Sequence, residues 1–154
     1  MFKTIVVALD GSEHSMAAIS TAEGVADRGE TEFVIVHVRQ LTGGRGAGPV
    51  HLDEAQRAAA VHDSAELLRT RGFKVTEHAY STFKRPADLI LRVAKRHSAD
   101  LVVTGLGKHY SLLGAAITAT PYAVVHHAPC PVLVVRESIR PAQAVSKPEP
   151  ALAA

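Results

Sequence analysis

Five short apolar runs, each parted from the next by a longer stretch of helical or loop character, constrain this chain more than any other feature. They are "KTIVVAL" (3–9), "EFVIVHV" (32–38), "FKVTEHAY" (73–80), "DLVVTG" (100–105) and "PVLVV" (131–135). All are rich in β-branched residues, which pack well on a pleated surface. Four are nearly continuous in their hydrophobicity, as strands buried on both faces are. The third alternates apolar with polar residues and reads as a strand wetted on one face, near a sheet edge. Strands alternating with helices predict a parallel sheet wrapped on both sides by right-handed crossovers.

The stretches between the runs supply the helices. Asp10-Gly11-Ser12 offers a turn and a cap, after which Met16, Ile19, Ala22, Val25 and Ala26 recur near helical spacing, to about Arg28 with Gly29 as the stop. Leu52 to Arg71 is an alanine-rich helix stopped by Gly72. Pro86 opens a third helix to about His97, with Leu89, Ile90, Val93 and Ala94 as its apolar side. A short fourth helix starts in "TATPYAVVHH", where Pro121 suits the first helical position and Thr120 the cap. "QLTGGRGAGPV" (40–50) carries four glycines and a proline and reads as a mobile loop.

At 154 residues with 47% hydrophobic composition, the chain suffices for a single core. The expected fold class is α/β: one doubly wound, Rossmann-like domain with a five-stranded parallel sheet in the order 3-2-1-4-5 and four helices. It is expected to span 1–137, with 138–154 a disordered tail, because "PAQAVSKPEPALAA" is proline- and alanine-rich without a periodic face. In an open sheet of this kind ligands bind beyond the carboxyl ends of the strands, where the strand order reverses. That places Asp10, after strand one, and Gly105 to Lys108, after strand four, at one crevice.

Charge and composition set aside several classes. A net charge of +2 arises from scattered residues, and the densest basic stretch (Lys84, Arg85, Arg92, Lys95, Arg96) suits the wet face of one helix, so nucleic acid is not an expected partner. No run approaches the roughly 20 apolar residues that cross a bilayer, and the first apolar run breaks at Asp10, too early for a signal peptide. A cytoplasmic protein without a membrane partner is expected. The lone Cys130, set in "HAPCPV", reads as a packed thiol. Among nine histidines no pair has the ligand spacing of a zinc helix, and adjacent His126 and His127 point apart, so no metal site is expected. Asp10, Ser12, His14 and Ser15 are neighbours in one cap rather than partners converging from separate elements, so no catalytic residue is assigned.

The chain resembles the universal stress protein family in "IVVALDGSEHSMAAI", "FVIVHV", "RPADLIL", "ADLVVTG" and above all "HHAPCPVLVVR", in the family's order over about residues 2 to 136. Many members bind ATP through a loop of the form G-x-x-G, nine residues, G-[S/T]. Here the first glycine is Gly105, but Lys108 stands at the second, and Thr118 and Ala119 at the last two positions; Gly107 and Gly114 are out of register. The resemblance implies that Asp10 lies on the adenine and ribose side, that Val38 meets adenine and that Gly105 lies near the ribose. The implied ligand contacts are Ala8, Leu9, Asp10, Val38, Thr104, Gly105, Gly107, Lys108, Thr118, Ala119 and Thr120.

The base and sugar side is thus kept and the phosphate side altered. Ala119 lacks a hydroxyl to donate, while the Lys108 ammonium either meets a phosphate as a point charge or lies outward. Asp10, Val38 and Thr120 also have plain readings as a turn former, a core residue and a helix cap. The expectation is an adenine nucleotide with few phosphates, AMP or a cyclic nucleotide, or weakly bound ATP, with Mg²⁺ only alongside ATP. The alternatives are a nucleotide-free dimer and a slow hydrolase with Asp10 on Mg²⁺. Strand five is apolar on both faces at an edge, and an uncovered edge pairs with another chain. The family pairs last strands across a two-fold axis, so a homodimer through Pro131, Val132, Leu133, Val134, Val135 and Arg136 is expected.

Overall fold

The computed structural model describes residues 2–41, 50–106 and 120–136, the side chains of 13–15 and 50–53 excepted. Nine elements follow in order: β1 (Thr4–Leu9), α1 (Glu13–Gly24), β2 (Glu32–Gln40), α2 (Val50–Thr70), β3 (Lys74–Thr82), α3 (Pro86–Arg96), β4 (Leu101–Leu106), α4 (Thr120–His127) and β5 (Val132–Arg136). All strand pairs are parallel and the order is β3-β2-β1-β4-β5. The glycine-rich loop from 42 and the tail from 137 lie outside the described residues.

Alternation along the strands builds two cores. Ile5, Val7 and Leu9 of β1, with Phe33 and Ile35 of β2, face α1 and α2 and meet Ala18, Ile19, Ala22, Val61, Ala65 and Leu68. Val6 and Ala8, with Val34 and Val36, face α3 and α4 and meet Ala87, Ile90, Val93, Ala94 and Val124. Each central strand is therefore apolar on both sides, which is why its sequence shows a run rather than an alternation. β3 sits at the edge with a mixed exposure pattern, as its alternating sequence anticipates.

The chain ends α2 through local chemistry. Phe73 N–H donates to the Leu68 carbonyl (3.1 Å) and Gly72 N–H to that of Arg69 (2.9 Å), with Gly72 at φ +91°. This is a Schellman closure, and Phe73 joins Leu68 in the core beneath it. α1 departs from its expected extent. It stops at Gly24 rather than near Arg28, because Ala26 is drawn into a parallel bridge with Phe2. Gly29 consequently lies in the turn before β2, and Val25, expected on the apolar side, is 40% exposed. The Asp100 carboxylate ties the start of β1 to that of β4 by accepting from the Lys3 and Thr4 amides (2.8 and 2.9 Å). Those two amides hold its pKa below the usual aspartate value.

Candidate functional site

At the carboxyl ends of β1, β2 and β4 the structure brings several of the expected residues together. Ala8 is in register with Thr104 of β4 on one side and Val36 of β2 on the other, with Val38 two residues farther along. Ala8 and Val38 pack with the α3–α4 core, and Thr104, two residues beyond Val102, points to the same face. Thr104 is 4% exposed, with Oγ1 3.5 Å from the Gly105 carbonyl. Gly105, half-buried, pairs with Val135. The sheet order reverses about β1, so these residues occupy the topological switch point.

Leu9 is separated from that group. Its side chain is 3% exposed in the α1–α2 core, so only its backbone remains for a ligand. Asp10 is exposed, and its Oδ1 accepts from the Ser12 amide (2.9 Å) and hydroxyl (2.5 Å), which closes the turn between β1 and α1. Thr120 is half-buried and is itself the first residue of α4, so the helix starts at the suggested cap position, one residue earlier than Pro121. Gly107, Lys108, Thr118 and Ala119 lie outside the described residues. Tyr122 is 58% exposed. Its ring meets His126 at 4.4 Å rather than filling the crevice.

Sequence reading missed His37. It lies in register with Leu9 and is 6% exposed. Its Nδ1 is 3.0 Å from the Leu9 carbonyl and its Nε2 3.0 Å from Glu54 Oε1 of α2. The ring thus fastens the end of β1 to α2 just under the crevice. The signal was one imidazole interrupting the apolar run "VIVHV". Gly11, at φ +73°, lets the same turn lie against α2: a Cβ there would stand 2.5 Å from the Arg57 carbonyl oxygen.

Two further clusters are built on β3, the first beside the crevice, where Tyr80 is in register with Val38, and the second on the opposite face of the sheet. His78 Nε2 and His97 Nε2 are 2.9 Å apart between β3 and the end of α3, and the Tyr80 hydroxyl is 3.4 Å from His78 Nδ1. Only one of the facing nitrogens can carry a proton without repulsion. Burial, then His97, then Arg96 hold the His78 pKa below the usual value. Above about pH 6.5 folded and unfolded chains are both neutral at His78; below it the unfolded chain protonates first, so stability falls with acidification. We expect the urea midpoint to drop between about pH 7 and pH 5. His78→Gln should flatten that drop, and an unchanged slope would remove His78 as its cause.

The second cluster joins His62 and Glu66 of α2 to Glu77 of β3, with Arg69 between the carboxylates. Cys130 is half-buried, and burial followed by Asp100 pushes its thiol up, as suits a packed and unreactive group. Among the described residues no helix is long and apolar enough to cross a membrane.

Comparison with known proteins agrees with this fold. A family model described as the universal stress protein family matches residues 1–136. A universal stress protein from Thermus aquaticus is 31% identical over 140 residues, 88% of this chain and 100% of the relative. A crystal structure of a universal stress protein in complex with cAMP superimposes with a TM-score of 0.67 at 22% identity, over 89% of this chain and 98% of that one. A family protein from Arabidopsis thaliana with AMP bound gives 0.60 at 17% identity, over 89% and 93%. At those identities the two structures bear on the fold alone.

Proposed function

The chain belongs to the universal stress protein family, and from that premise we propose that it is a homodimeric stress-response regulator. It binds an adenine nucleotide, AMP or a cyclic nucleotide ahead of ATP, at the carboxyl ends of β1, β2 and β4. The observation that carries this reading is the common face shared by Ala8, Val38 and Thr104 at the point where the strand order reverses. Relatives of the same fold hold cAMP and AMP, which supports the ligand class.

In this reading the adenine lies against Val38 and Ala8, with the ribose near Asp10, Thr104 and Gly105 and the Leu9 backbone behind. Phosphate falls to Gly107, Lys108, Thr118, Ala119 and the Thr120 end of α4. Ala119 supplies no hydroxyl, so each added phosphate gains less than a full loop would give; one such lost hydrogen bond is worth about 1 kcal/mol, or about fivefold in affinity. Mg²⁺ would enter only with ATP. We assign no catalytic residue. The domain runs to about residue 137. The setting is the cytoplasm.

Dimerisation follows from β5, an apolar strand paired on one side by β4 and at the sheet edge on the other. Pro131 to Arg136 would pair with their copy in a second subunit. A second reading, a dimer that binds no nucleotide, draws on the Asp10 carboxylate already being engaged by Ser12.

Titration calorimetry with AMP, cAMP and ATP decides between them. AMP or cAMP should bind more tightly than ATP. ATP binding at least as tightly as AMP refutes the phosphate-side argument, and failure of all three leaves the nucleotide-free dimer. Sedimentation should show a dimer; a monomer throughout a micromolar series would overturn the β5 pairing.

A further inference from the structure

We propose that His62, Glu66 and Glu77 form a site for a divalent first-row transition-metal ion, and that Arg69 holds this site shut until the ion displaces it. The site is independent of the nucleotide reading. Glu77 is in register with Ile35, on the α1–α2 side of the sheet, whereas Ala8, Val38 and Thr104 face α3 and α4.

The ligand set is built by two elements. His62 and Glu66 stand four residues apart on α2, so they share one helix face. Glu77 rises from the middle of β3 beneath them. One donor atom from each of the three lies within 4.8 Å of the others, and His62 Nδ1 is 3.2 Å from Glu77 Oε2. Two ligands each about 2.1 Å from one tetrahedral ion stand about 3.4 Å apart, so that pair needs almost no movement. Rotation of the half-exposed Glu66 side chain brings in the third.

The cluster already holds a cation. Arg69 Nη1 is 2.5 Å from Glu66 Oε1 and 2.7 Å from Glu77 Oε1. Two carboxylates against one guanidinium leave a net negative charge, which a divalent ion cancels in full once Arg69 withdraws. Withdrawal leaves Arg69 a partner, because its Nη2 also donates to the Val75 carbonyl at 3.0 Å.

Donor chemistry selects the ion. One imidazole and two carboxylates suit Zn²⁺, Co²⁺ or Ni²⁺. Ca²⁺ and Mg²⁺ are hard cations that take oxygen ligands, and the imidazole nitrogen of His62 is a poor donor to either. His62 is 61% exposed, so water completes the coordination and the ion enters without opening the fold.

The test is titration of the full chain with ZnCl₂ by calorimetry, and with CoCl₂ by visible absorption, for wild type, His62→Ala and Arg69→Gln. Wild type should take up one equivalent. His62→Ala should weaken binding about tenfold or more, and Arg69→Gln should tighten it about threefold or more by removing the competing cation. Circular dichroism before titration confirms that both variants are folded, as expected for side chains this exposed. The proposal is overturned if wild type shows no saturable binding at millimolar Zn²⁺. It is equally overturned if His62→Ala binds as wild type does, which would place the ion elsewhere, for instance at exposed His126 and His127. Binding unchanged or weakened in Arg69→Gln also rejects it.

Discussion

Phe33→Ala should cost about 3–5 kcal/mol of folding free energy, the largest loss from any single truncation in this core. Phe33 is fully buried in β2 and meets Phe73 edge to face, with ring centroids 5.0 Å apart and planes at 85°. Phe73 is also the residue that seals the Schellman closure of α2 over Leu68. Truncating Phe33 therefore opens a cavity against a helix end rather than against a side chain that can relax into it. A domain of this size is stable by about 5–15 kcal/mol, so the loss is a large part of the whole. Urea denaturation at one fixed protein concentration measures it, since dimerisation would make the midpoint concentration-dependent. A loss under about 1.5 kcal/mol would mean that the site collapses freely and that the aromatic pair is not a keystone.

Gly11→Ala should cost about 2–5 kcal/mol, for two reasons that add. A Cβ at φ +73° carries the left-handed penalty of about 1–2 kcal/mol. It would also stand 2.5 Å from the Arg57 carbonyl oxygen and 2.6 Å from the Arg57 Cα. Those are backbone atoms of a helix anchored by Val61, Ala65 and Leu68, so overpacking adds about 1–3 kcal/mol. Gly72→Ala is the internal control. Its φ is +91°, but no atom lies within 4 Å of the built Cβ, so only the backbone penalty of about 1–2 kcal/mol should appear. Equal losses for the two variants would show that α2 yields at Arg57. Because the Gly11 turn leads out of β1 beside Asp10, the variant should also weaken whatever nucleotide binding the wild type shows.

Much of this architecture was legible before any coordinates. The five strands appear because a segment buried on both faces must be apolar at every position, and a strand wetted on one face at every second position. β3 declared itself an edge strand in that way. The end of α2 was equally plain at Gly72, since a Schellman closure needs only residues within six of one another. α1 was misjudged at its end because Phe2, more than twenty residues upstream, captures Ala26. Helical periodicity carries no trace of such a partner.

The crevice divides along the same line. Asp10 and Gly105 stand out because strand ends at a switch point are where this class of fold places its ligands, whereas Val38 was picked out only by the resemblance to the family. His37 did not, since its meaning depends on Leu9 and Glu54, 28 and 17 residues away. Glu77 likewise became a neighbour of His62 only through the docking of α2 on β3. By itself the sequence determined the elements, their alternation and the parallel sheet, because those rest on side-chain periodicity and on hydrogen bonds closed within a turn or two. Which face each side chain took, which carbonyl each buried histidine met and which carboxylates came to share Arg69 were decided by tertiary structure. Those contacts depend on sheet register and helix docking, which join residues that no local pattern connects.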